Sequence, residues 1–396
     1  MMDPRFANHV AWTSDNPIGL VVERAEGPYL YVEGGARITD LISGIAVSSL
    51  GHRHPQVLEA IRDQLDRHLH VMVYGEFVQE PQSALAARLA SHLPASLSTV
   101  YFTMTGTEAN EGALKLAKKH TGRTRLVAFE NSYHGDTHGS LSVTGRSVYR
   151  DPFLPLLPGV QFLPFDDVAA LDQIDDSVAA VITEPIQGEG GVRVPSDGWM
   201  RRLRDRCTET GALLIFDEIQ TGIGRTGSVF AFEGFGVVPD ILTLAKALGG
   251  GMPLGAFISS AEIMAAFRRD PPLSHVTTFG GHPVSCAAAN AALRVLIDDD
   301  LPARAVQIGQ RVRAALVHPG VVEVRGRGAM LGMELRTSAQ TEAVVAAALS
   351  GGVLLGWTLH SNTLVRIAPP LNIPWDVLTE ALDVIRNALD KSLSGV

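Results

Sequence analysis

The fold class is decided by two stretches of sequence, Leu213-Leu-Ile-Phe-Asp217-Glu-Ile-Gln220 and Asp240-Ile-Leu-Thr-Leu-Ala-Lys246-Ala-Leu-Gly-Gly-Gly251. Each stretch is a short apolar run that ends in an ionisable residue, a pattern typical of buried strands in an α/β sheet. Because the carboxyl ends of such strands face a common crevice, we expect Asp217 and Lys246 to lie in one ligand site.

The apolar pattern on either side of these stretches predicts alternating strands and helices. Strands are predicted at residues 99–104, 125–129, 161–163, 178–183, 212–216, 241–244 and 254–258. Helices are predicted at residues 55–69, 81–93, 197–210 and 283–297. Alternation of this kind indicates an α/β fold with a mostly parallel sheet that helices cover on both faces.

The two ends of the chain have a different character. Residues 29–42 predict a hairpin that turns at Gly34-Gly35. After residue 299 the pattern predicts an α+β unit with helices at 303–316, 338–349 and 374–393 and strands at 321–324, 332–335 and 363–367. We therefore predict a large domain at 54–299, which contains Asp217 and Lys246, and a small domain formed by 300–396 together with 1–53.

Composition limits the classes of partner and compartment. Hydrophobic residues make up 46% of the chain and charged residues 19%, and the formal net charge is −9 without a basic block. This profile argues against nucleic acid or an anionic membrane as a partner. The 2 cysteines support neither a disulfide framework nor a zinc site, and the first nine residues contain no apolar signal segment. We therefore expect a cytoplasmic protein without a bound metal.

An amine and a carboxylate at neighbouring strand ends are the groups that pyridoxal phosphate (PLP) needs. A lysine forms a Schiff base with its aldehyde, and an acid keeps its pyridine nitrogen protonated. Each residue alone has a plainer interpretation. A lysine such as Lys246 before glycines more often sits in a loop or a surface ion pair, and an acid such as Asp217 at a strand end more often caps a helix.

Further motifs along the chain strengthen the cofactor interpretation. Thr105, followed three residues later by Glu108, matches a capping box and predicts a helix that begins at Gly106. The first turn of a helix offers free backbone N–H groups that suit a phosphate. Four more motifs lie downstream, at residues 131–137, 184–191, 277–283 and 366–371.

In this order, the motifs resemble those of the class III aminotransferases, which are PLP enzymes of fold type I. The resemblance extends from Gly27 to Pro370, and residues 217–227 are its most specific part. It implies that Lys246 forms the Schiff base and moves a proton between substrate and cofactor, while Asp217 pairs with the pyridine nitrogen. The other cofactor contacts that it implies are Thr105, Gly106 and Thr107 at the phosphate, Tyr133 on the ring face, Gln220 near the phenolic oxygen, and Glu184 beside the ring.

The resemblance also implies how substrates and subunits are arranged. Arg366 matches the arginine that binds the substrate α-carboxylate, and Glu189 matches the acid that holds this arginine aside when a terminal amine enters. Thr278 resembles a residue that reaches the phosphate of the neighbouring subunit. The implied assembly is a homodimer with shared active sites.

The expected activity is that of a PLP-dependent ω-aminotransferase. It would transfer the terminal amino group of a diamine or ω-amino acid (acetylornithine, ornithine, 4-aminobutyrate or similar) to 2-oxoglutarate or pyruvate by a ping-pong mechanism. Two positions depart from the family pattern. Asp136 stands where ornithine- and acetylornithine-type members usually have an arginine, and His282 stands where asparagine is more usual.

Two alternatives remain open at this point. A racemase, decarboxylase or mutase can use the same scaffold, although retention of both Glu189 and Arg366 speaks against these activities. A nucleotide-binding dehydrogenase is the more remote alternative, because no G-x-G-x-x-G segment stands between a first strand and helix.

Overall fold

The computed structural model describes residues 3–72, 74–358 and 360–394. Met1 and Met2, the first residues of the N-terminal segment in which no signal peptide is predicted, lie outside the described residues. The strands, numbered in chain order, are β1 (Val22–Glu26), β2 (Tyr29–Val32), β3 (Arg37–Asp40), β4 (Thr99–Thr103), β5 (Arg125–Phe129), β6 (Val160–Leu163), β7 (Val178–Thr183), β8 (Leu213–Asp217), β9 (Ile241–Leu244), β10 (Gly255–Ser259), β11 (Val321–Arg327), β12 (Met330–Leu335), β13 (Val353–Leu354), β14 (Gly356–Thr358) and β15 (Ser361–Ile367).

Helices connect most of these strands. They are α1 (Pro4–His9), α2 (Ser43–Ala46), α3 (Pro55–Leu65), α4 (Glu80–Ser91), α5 (Gly106–Thr121), α6 (His138–Ser142), α7 (Ser147–Arg150), α8 (Asp197–Thr210), α9 (Ala261–Met264), α10 (Pro283–Asp298), α11 (Leu301–Ala315), α12 (Ser338–Ser350) and α13 (Trp375–Ser394). No helix among the described residues is long and apolar enough to cross a membrane.

A sheet of seven strands forms the centre of the molecule. Its order is β4-β10-β9-β8-β7-β5-β6, with β6, β5, β7, β8 and β9 parallel and β10 antiparallel to both of its neighbours. Every residue of β7 is buried, because helices cover both faces of the sheet. The predicted α/β fold with a mostly parallel sheet is therefore confirmed.

Two smaller sheets flank the central one. β2 and β3 form the predicted hairpin, to which β1 adds an antiparallel strand and β13 a parallel one. β11, β12, β15 and β14 form an antiparallel sheet. The division of the chain into domains at residues 53 and 299 stays a prediction, and the pairing of β3 with β13 joins the first and last predicted segments.

Helix α5 lies beside the expected ligand site of Asp217 and Lys246, because it packs directly on β9 and β10. Its inner face consists of small and aliphatic residues that are fully buried, among them Ala109, Ala113 and Leu116. The spacing of these residues matches the 3.6-residue period of a helix with one apolar face. Asn110, which is also fully buried, is the polar interruption of this face.

A buried arginine links three distant segments beside the central sheet. Arg225 donates hydrogen bonds from Nη1 to the carbonyl oxygens of Ala329 (3.3 Å) and Pro369 (2.6 Å). Its Nη2 donates to Ser49 Oγ at 2.9 Å. Burial lowers the pKa of the Arg225 guanidinium to about 10. The hydrogen bonds offset part of the lost hydration, although Arg225 Nε has no partner among the described residues. They hold the loop after β8 against the segments at Ser49, Ala329 and Pro369.

Candidate active site

A cavity of about 660 Å³ opens at the carboxyl ends of β8 and β9. Asp217 is the last residue of β8, and its backbone is in register with Thr243 of the adjacent parallel strand β9. Lys246 lies just beyond the end of β9. Both residues line the cavity, so the expectation that the two strand ends share one crevice is confirmed.

The amine of Lys246 is held in an unusual environment. The residue as a whole is half-buried, and its φ of 47° lies in the left-handed region that non-glycine residues rarely adopt. Burial lowers the pKa of the amine below its ordinary value of 10.5. The Glu189 carboxylate opposes this change, whereas the Arg366 guanidinium adds to it. The net effect favours the neutral amine, which is the nucleophilic form.

Asp217 is fixed by a buried hydrogen-bond network. Its Oδ2 accepts a hydrogen bond from Asn110 Nδ2 and lies against His134 Nδ1, both at 2.8 Å. Its Oδ1 accepts the backbone N–H of Ile219 at 3.0 Å. Asn110 Oδ1 in turn accepts from Thr243 Oγ1 at 2.8 Å. The network fixes the orientation of the Asp217 carboxylate at the cavity wall.

The start of α5 forms the side of the cavity that suits a phosphate. Thr105 is the N-cap, and the predicted capping box is present: Thr105 Oγ1 accepts from the Glu108 N–H at 3.3 Å, and Glu108 Oε2 accepts from the Thr105 N–H at 3.2 Å. A Cβ at Gly106 would lie 2.8 Å from the Ile219 side chain, so a larger residue would require this side chain of the loop after β8 to move. Thr105, Gly106 and Thr107 all line the cavity.

Glu184 and His134 each present a buried polar atom that lacks a partner in the described structure. Burial raises the pKa of the Glu184 carboxyl well above its ordinary value, and the nearby Asp217 carboxylate raises it further. The Gly188 N–H donates to Glu184 Oε1 at 3.4 Å, but Glu184 Oε2 and His134 Nε2 have no hydrogen-bond partner among the described residues. Both residues line the cavity, where a bound polar group would satisfy these atoms.

Arg366 and Glu189 form a buried ion pair next to the cavity. Arg366 Nη1 donates to Glu189 Oε1 at 2.6 Å and to Gln220 Oε1 at 3.3 Å. Gln220 lines the cavity, whereas Glu189 and Arg366 are not among its lining residues. The pair therefore lies one side chain away from the cavity space.

The remaining predicted residues are placed as follows. Tyr133 lines the cavity, and its hydroxyl donates to Asp136 Oδ2 at 2.8 Å. Thr278 is exposed and does not line the cavity of this chain. The cavity lining thus includes every predicted site residue except Thr278 and the Glu189–Arg366 pair, which contacts the lining residue Gln220.

Sequence reasoning missed Asn110 and gave His134 no role. His134 follows Tyr133 in the loop after β5, and Asn110 lies one turn into α5. The interruption of an apolar helix face by Asn110 was the available signal, because a buried polar side chain requires a partner. The partner itself, Asp217, is 107 positions away and could not be inferred from spacing.

Comparisons with known proteins agree with this geometry. The family model described as "Aminotransferase class-III" matches residues 10–389. The acetylornithine aminotransferase of Methanopyrus kandleri is 43% identical over 387 residues, which is 97% of each chain. The acetylornithine aminotransferase of Bacillus subtilis is 38% identical over 394 residues, 98% of each chain.

Solved structures of similar fold are also transaminases. The ornithine aminotransferase of Toxoplasma gondii, solved with PLP at partial occupancy in its active site, superposes with a TM-score of 0.92 at 31% identity, covering 98% of this chain and 93% of that one. An (S)-enantioselective ω-transaminase from Thermomicrobium roseum gives a TM-score of 0.90 at 30% identity, covering 98% and 97%.

Proposed function

The chain belongs to the class III aminotransferases, PLP-dependent transaminases, and we propose that it transfers the terminal amino group of a diamine or ω-amino acid to 2-oxoglutarate or pyruvate. The observation that carries this proposal is the Glu189–Arg366 pair beside the cavity that contains Lys246. Relatives named for acetylornithine and ornithine support the same class of donor.

The residues of the cavity fit the cofactor. When bound, PLP supplies an aldehyde that condenses with amines and a ring that accepts electrons. We assign its covalent attachment to Lys246 and its pyridine nitrogen to Asp217, which the Asn110 and His134 contacts orient. The other assigned contacts are the N–H groups of Gly106 and Thr107 and the Thr105 cap at the phosphate, Tyr133 on the ring face, Gln220 near the phenolic oxygen, and Glu184 beside the ring.

Lys246 is also assigned the proton transfer of each half-reaction. Its lowered pKa supports a neutral amine, which can take a proton from the substrate carbon that bears the amino group. With PLP bound, the Asp217 carboxylate would hold the ring nitrogen in its protonated form, the form in which the ring supplies an electron sink.

The Glu189–Arg366 pair is assigned the selection between the two substrates. A terminal amine brings no carboxylate close to the reacting carbon, and an unpaired buried guanidinium there would be unfavourable. With Glu189 in contact at 2.6 Å, the charge of Arg366 is balanced while the amine donor is bound. A 2-oxo acid supplies its own carboxylate, which can replace Glu189 as the partner of Arg366 through a bidentate contact.

We further propose that the protein acts as a homodimer in which Thr278 contacts the phosphate bound by the partner subunit. Two large apolar side chains beside Thr278 are exposed to solvent: Val276 is 62% exposed and Phe279 is 52% exposed. Exposed apolar patches of this kind typically mark protein–protein contacts. In the proposed dimer, a second copy covers Val276 and Phe279 and places its cavity next to Thr278.

A donor panel tests the proposed activity. The PLP-loaded protein is assayed for glutamate formation from 2-oxoglutarate, and for alanine formation from pyruvate, with acetylornithine, ornithine, 4-aminobutyrate, putrescine, lysine, β-alanine and diaminopelargonate. At least one terminal amine should support turnover, and the Lys246→Ala variant should support none. Racemisation or decarboxylation without amino transfer would show that the proposed function is wrong.

A further inference from the structure

The segment that leads to Thr278 is attached to α5 by Lys119. The ammonium of Lys119 donates hydrogen bonds to acceptors at both ends of residues 269–274: the carbonyl oxygens of Arg269 at 2.6 Å and Pro271 at 3.4 Å, and Ser274 Oγ at 2.8 Å. An ammonium has one N–H donor for each of these acceptors, so its hydrogen-bonding capacity is used within this one segment. Leu273, between the acceptors, has a φ of 58°, a conformation that non-glycine residues rarely adopt without support from their surroundings.

A second lysine holds the end of the same segment. Lys115 lies one helical turn before Lys119, and residues at this spacing share one face of a helix. Its ammonium donates to His275 Nδ1 at 3.0 Å and to the Ser274 carbonyl oxygen at 3.4 Å. Burial, together with the charge of Lys115, lowers the pKa of His275 to about 4, so the ring is neutral and can accept this hydrogen bond. The Tyr101 hydroxyl donates to the His275 carbonyl oxygen at 3.1 Å, which fixes the backbone at this point.

The chain is fixed again just after Thr278. The Gly281 carbonyl oxygen accepts a hydrogen bond from Gln82 Nε2 at 2.7 Å. A Cβ at Gly280 would lie 2.5 Å from a carbonyl oxygen of β4, so the backbone here packs directly against that strand. Between the two anchors, residues 276–279 form no hydrogen bond with a described residue more than three positions away. The position of Thr278 is therefore set by the anchors on either side of it.

We propose that Lys115 and Lys119 form a clamp that positions Thr278 for the cofactor phosphate bound by the partner subunit. The inference rests on the proposed transaminase function and its homodimer, and it adds two positioning residues to the cofactor site. Neither lysine lines the cavity of its own chain. Both stand on the helix whose first turn carries the assigned phosphate contacts of that chain, so α5 serves its own phosphate directly and the phosphate of the partner subunit through the loop.

Homodimers give the first measurement, which is the affinity of cofactor-free protein for PLP. Lys119→Met keeps a long side chain but removes the donors, so Thr278 should lose its fixed position. PLP should then bind roughly ten-fold more weakly, the effect expected for loss of one hydrogen bond to a charged phosphate. Thr278→Ala should weaken binding by a similar factor. The affinity is measured by titration with PLP, trapping with borohydride and mass spectrometry of the Lys246 peptide.

Two further variants separate the clamp from the charge and the packing of α5. Lys118→Met is the matched control, because this half-buried lysine of the same helix forms no hydrogen bond with residues 269–275, all of which the structure describes. Its PLP affinity should equal that of wild type. Ser274→Ala removes one acceptor of Lys119 and leaves α5 intact, and it should weaken PLP binding in the same direction by a smaller factor.

Hybrid dimers distinguish an effect on the partner subunit from an effect within one chain. Subunits with different affinity tags are co-expressed, and PLP is trapped on the Lys246 that remains. When a Lys119→Met subunit is paired with a Lys246→Ala subunit, this lysine receives its loop from the intact clamp, and the PLP affinity should equal that of wild type. When a wild-type subunit is paired with a subunit that carries both substitutions, the loop comes from the damaged clamp, and affinity should fall roughly ten-fold.

The opposite pattern in the two hybrids would show that the substitution damages the cofactor site of its own chain, and it would overturn the clamp. Wild-type affinity in the Lys119→Met homodimer would do the same, and both results leave the transaminase function standing. If no donor supports turnover but the hybrids behave as predicted, the proposed amino transfer fails while the clamp stands. Sedimentation velocity shows whether each variant is a dimer. If Lys119→Met is not, the hybrids are made with Ser274→Ala, for which the same pattern at smaller amplitude is expected.

Discussion

The ionisation of the Lys246 amine links the geometry of the cavity to its chemistry. Loss of hydration lowers its pKa, and the residue is held with a φ of 47° at the end of β9. Backbone strain of this kind costs on the order of 1–3 kcal/mol and persists where the surrounding structure enforces it. The hydrogen bond from the Leu248 N–H to the Ala245 carbonyl (2.9 Å) provides part of that enforcement. Strained backbone of this kind is typical of residues whose side chain has to be directed toward a ligand.

The pH dependence of cofactor attachment should report this pKa. Only the neutral amine attacks an aldehyde, so the attachment rate of cofactor-free protein should rise with pH through the lowered pKa and become constant below 10.5, the ordinary lysine value. Rapid mixing with PLP, trapping with borohydride and mass spectrometry of the Lys246 peptide give the rate at each pH. A rate that becomes constant only near 10.5, or an adduct that persists in Lys246→Ala, would contradict the assignment.

Arg366 should affect the two half-reactions unequally. Removing one partner of a buried ion pair costs on the order of 3–5 kcal/mol, and Arg366→Ala should lose most of it in the 2-oxoglutarate half-reaction, where the guanidinium binds the carboxylate. The half-reaction with the amine donor should lose less rate, because Glu189 without its arginine can take up a proton or bind water. Single-turnover kinetics followed by cofactor absorbance separate the two steps. Arg202→Ala, which removes two surface ion pairs, with Asp172 and Glu209, is the control and should change neither half-reaction.

Equal losses in both half-reactions would contradict the selection mechanism. Arg366 would then have a structural role or bind a carboxylate common to both substrates. Glu189→Gln provides a second measurement, because it keeps a hydrogen-bond acceptor for Arg366 but removes the negative charge. The mechanism predicts that the affinity of this variant for 2-oxoglutarate is close to that of wild type. Its half-reaction with the amine donor should be the one that is impaired.

In the proposed site, the start of α5 binds the cofactor phosphate. Its N–H groups are oriented by the Thr105–Glu108 capping box and by the close approach of Gly106 to Ile219. The helix is 16 residues long and packs on β9 and β10, so its first turn is held in place by most of the helix. The phosphate site therefore depends on the cap and on the packing of α5 together.

The cap can be tested with a matched helix elsewhere in the chain. Thr105→Ala should lower the free energy of unfolding by about 1 kcal/mol, the usual cost of losing an N-cap hydroxyl, and should also weaken PLP binding. Thr337→Ala removes the equivalent hydroxyl from α12, where it accepts the Gln340 N–H at 3.1 Å. It should cost similar stability and leave PLP affinity unchanged. Denaturant unfolding and cofactor titration measure the two effects, and equal affinity losses in both variants would contradict the phosphate assignment.

The elements of the central sheet were predictable because their apolar runs are local and are bounded by turn residues. β5, β7 and β9 begin and end at the predicted residues, and α8 does so as well. By contrast, β13 and β14 were missed, since strands of two and three residues exist only through pairing with β3 and β15. Long-range pairing of this kind leaves no periodic signal in the sequence.

In the candidate site, too, local patterns were predictable and long-range contacts were not. Lys246 and Asp217 could be identified from strand ends, and Thr105 from its capping pattern. The contact between His134 and Asp217 spans 83 positions, and it depends on how β5 and β8 are ordered in the sheet. Sequence spacing does not contain that order, so the supporting network became visible only in the folded chain.

At the scale of the whole molecule, a dimer would complete the proposed site. Val276→Asp would place a charge in the apolar surface beside Thr278 and should shift the protein toward monomers, because burial of an unpaired carboxylate is costly. Val322→Asp is the control, since Val322 on β11 is 59% exposed and far from this segment in sequence. Sedimentation velocity measures the assembly. Cofactor titration should show weaker PLP binding by the Val276→Asp monomer, and a monomer of normal affinity and activity would rule out the shared site.

The position of Arg366 on β15 has a consequence for the order in which the protein is made. β15 comes after the strands and loops that form the cavity wall, so the ribosome synthesises it after them. Lys246 and the turn at Thr105 are therefore made before the arginine that pairs with Glu189. In the proposed mechanism, the residue that distinguishes the two substrates is thus added to the chain after the residues that capture the cofactor.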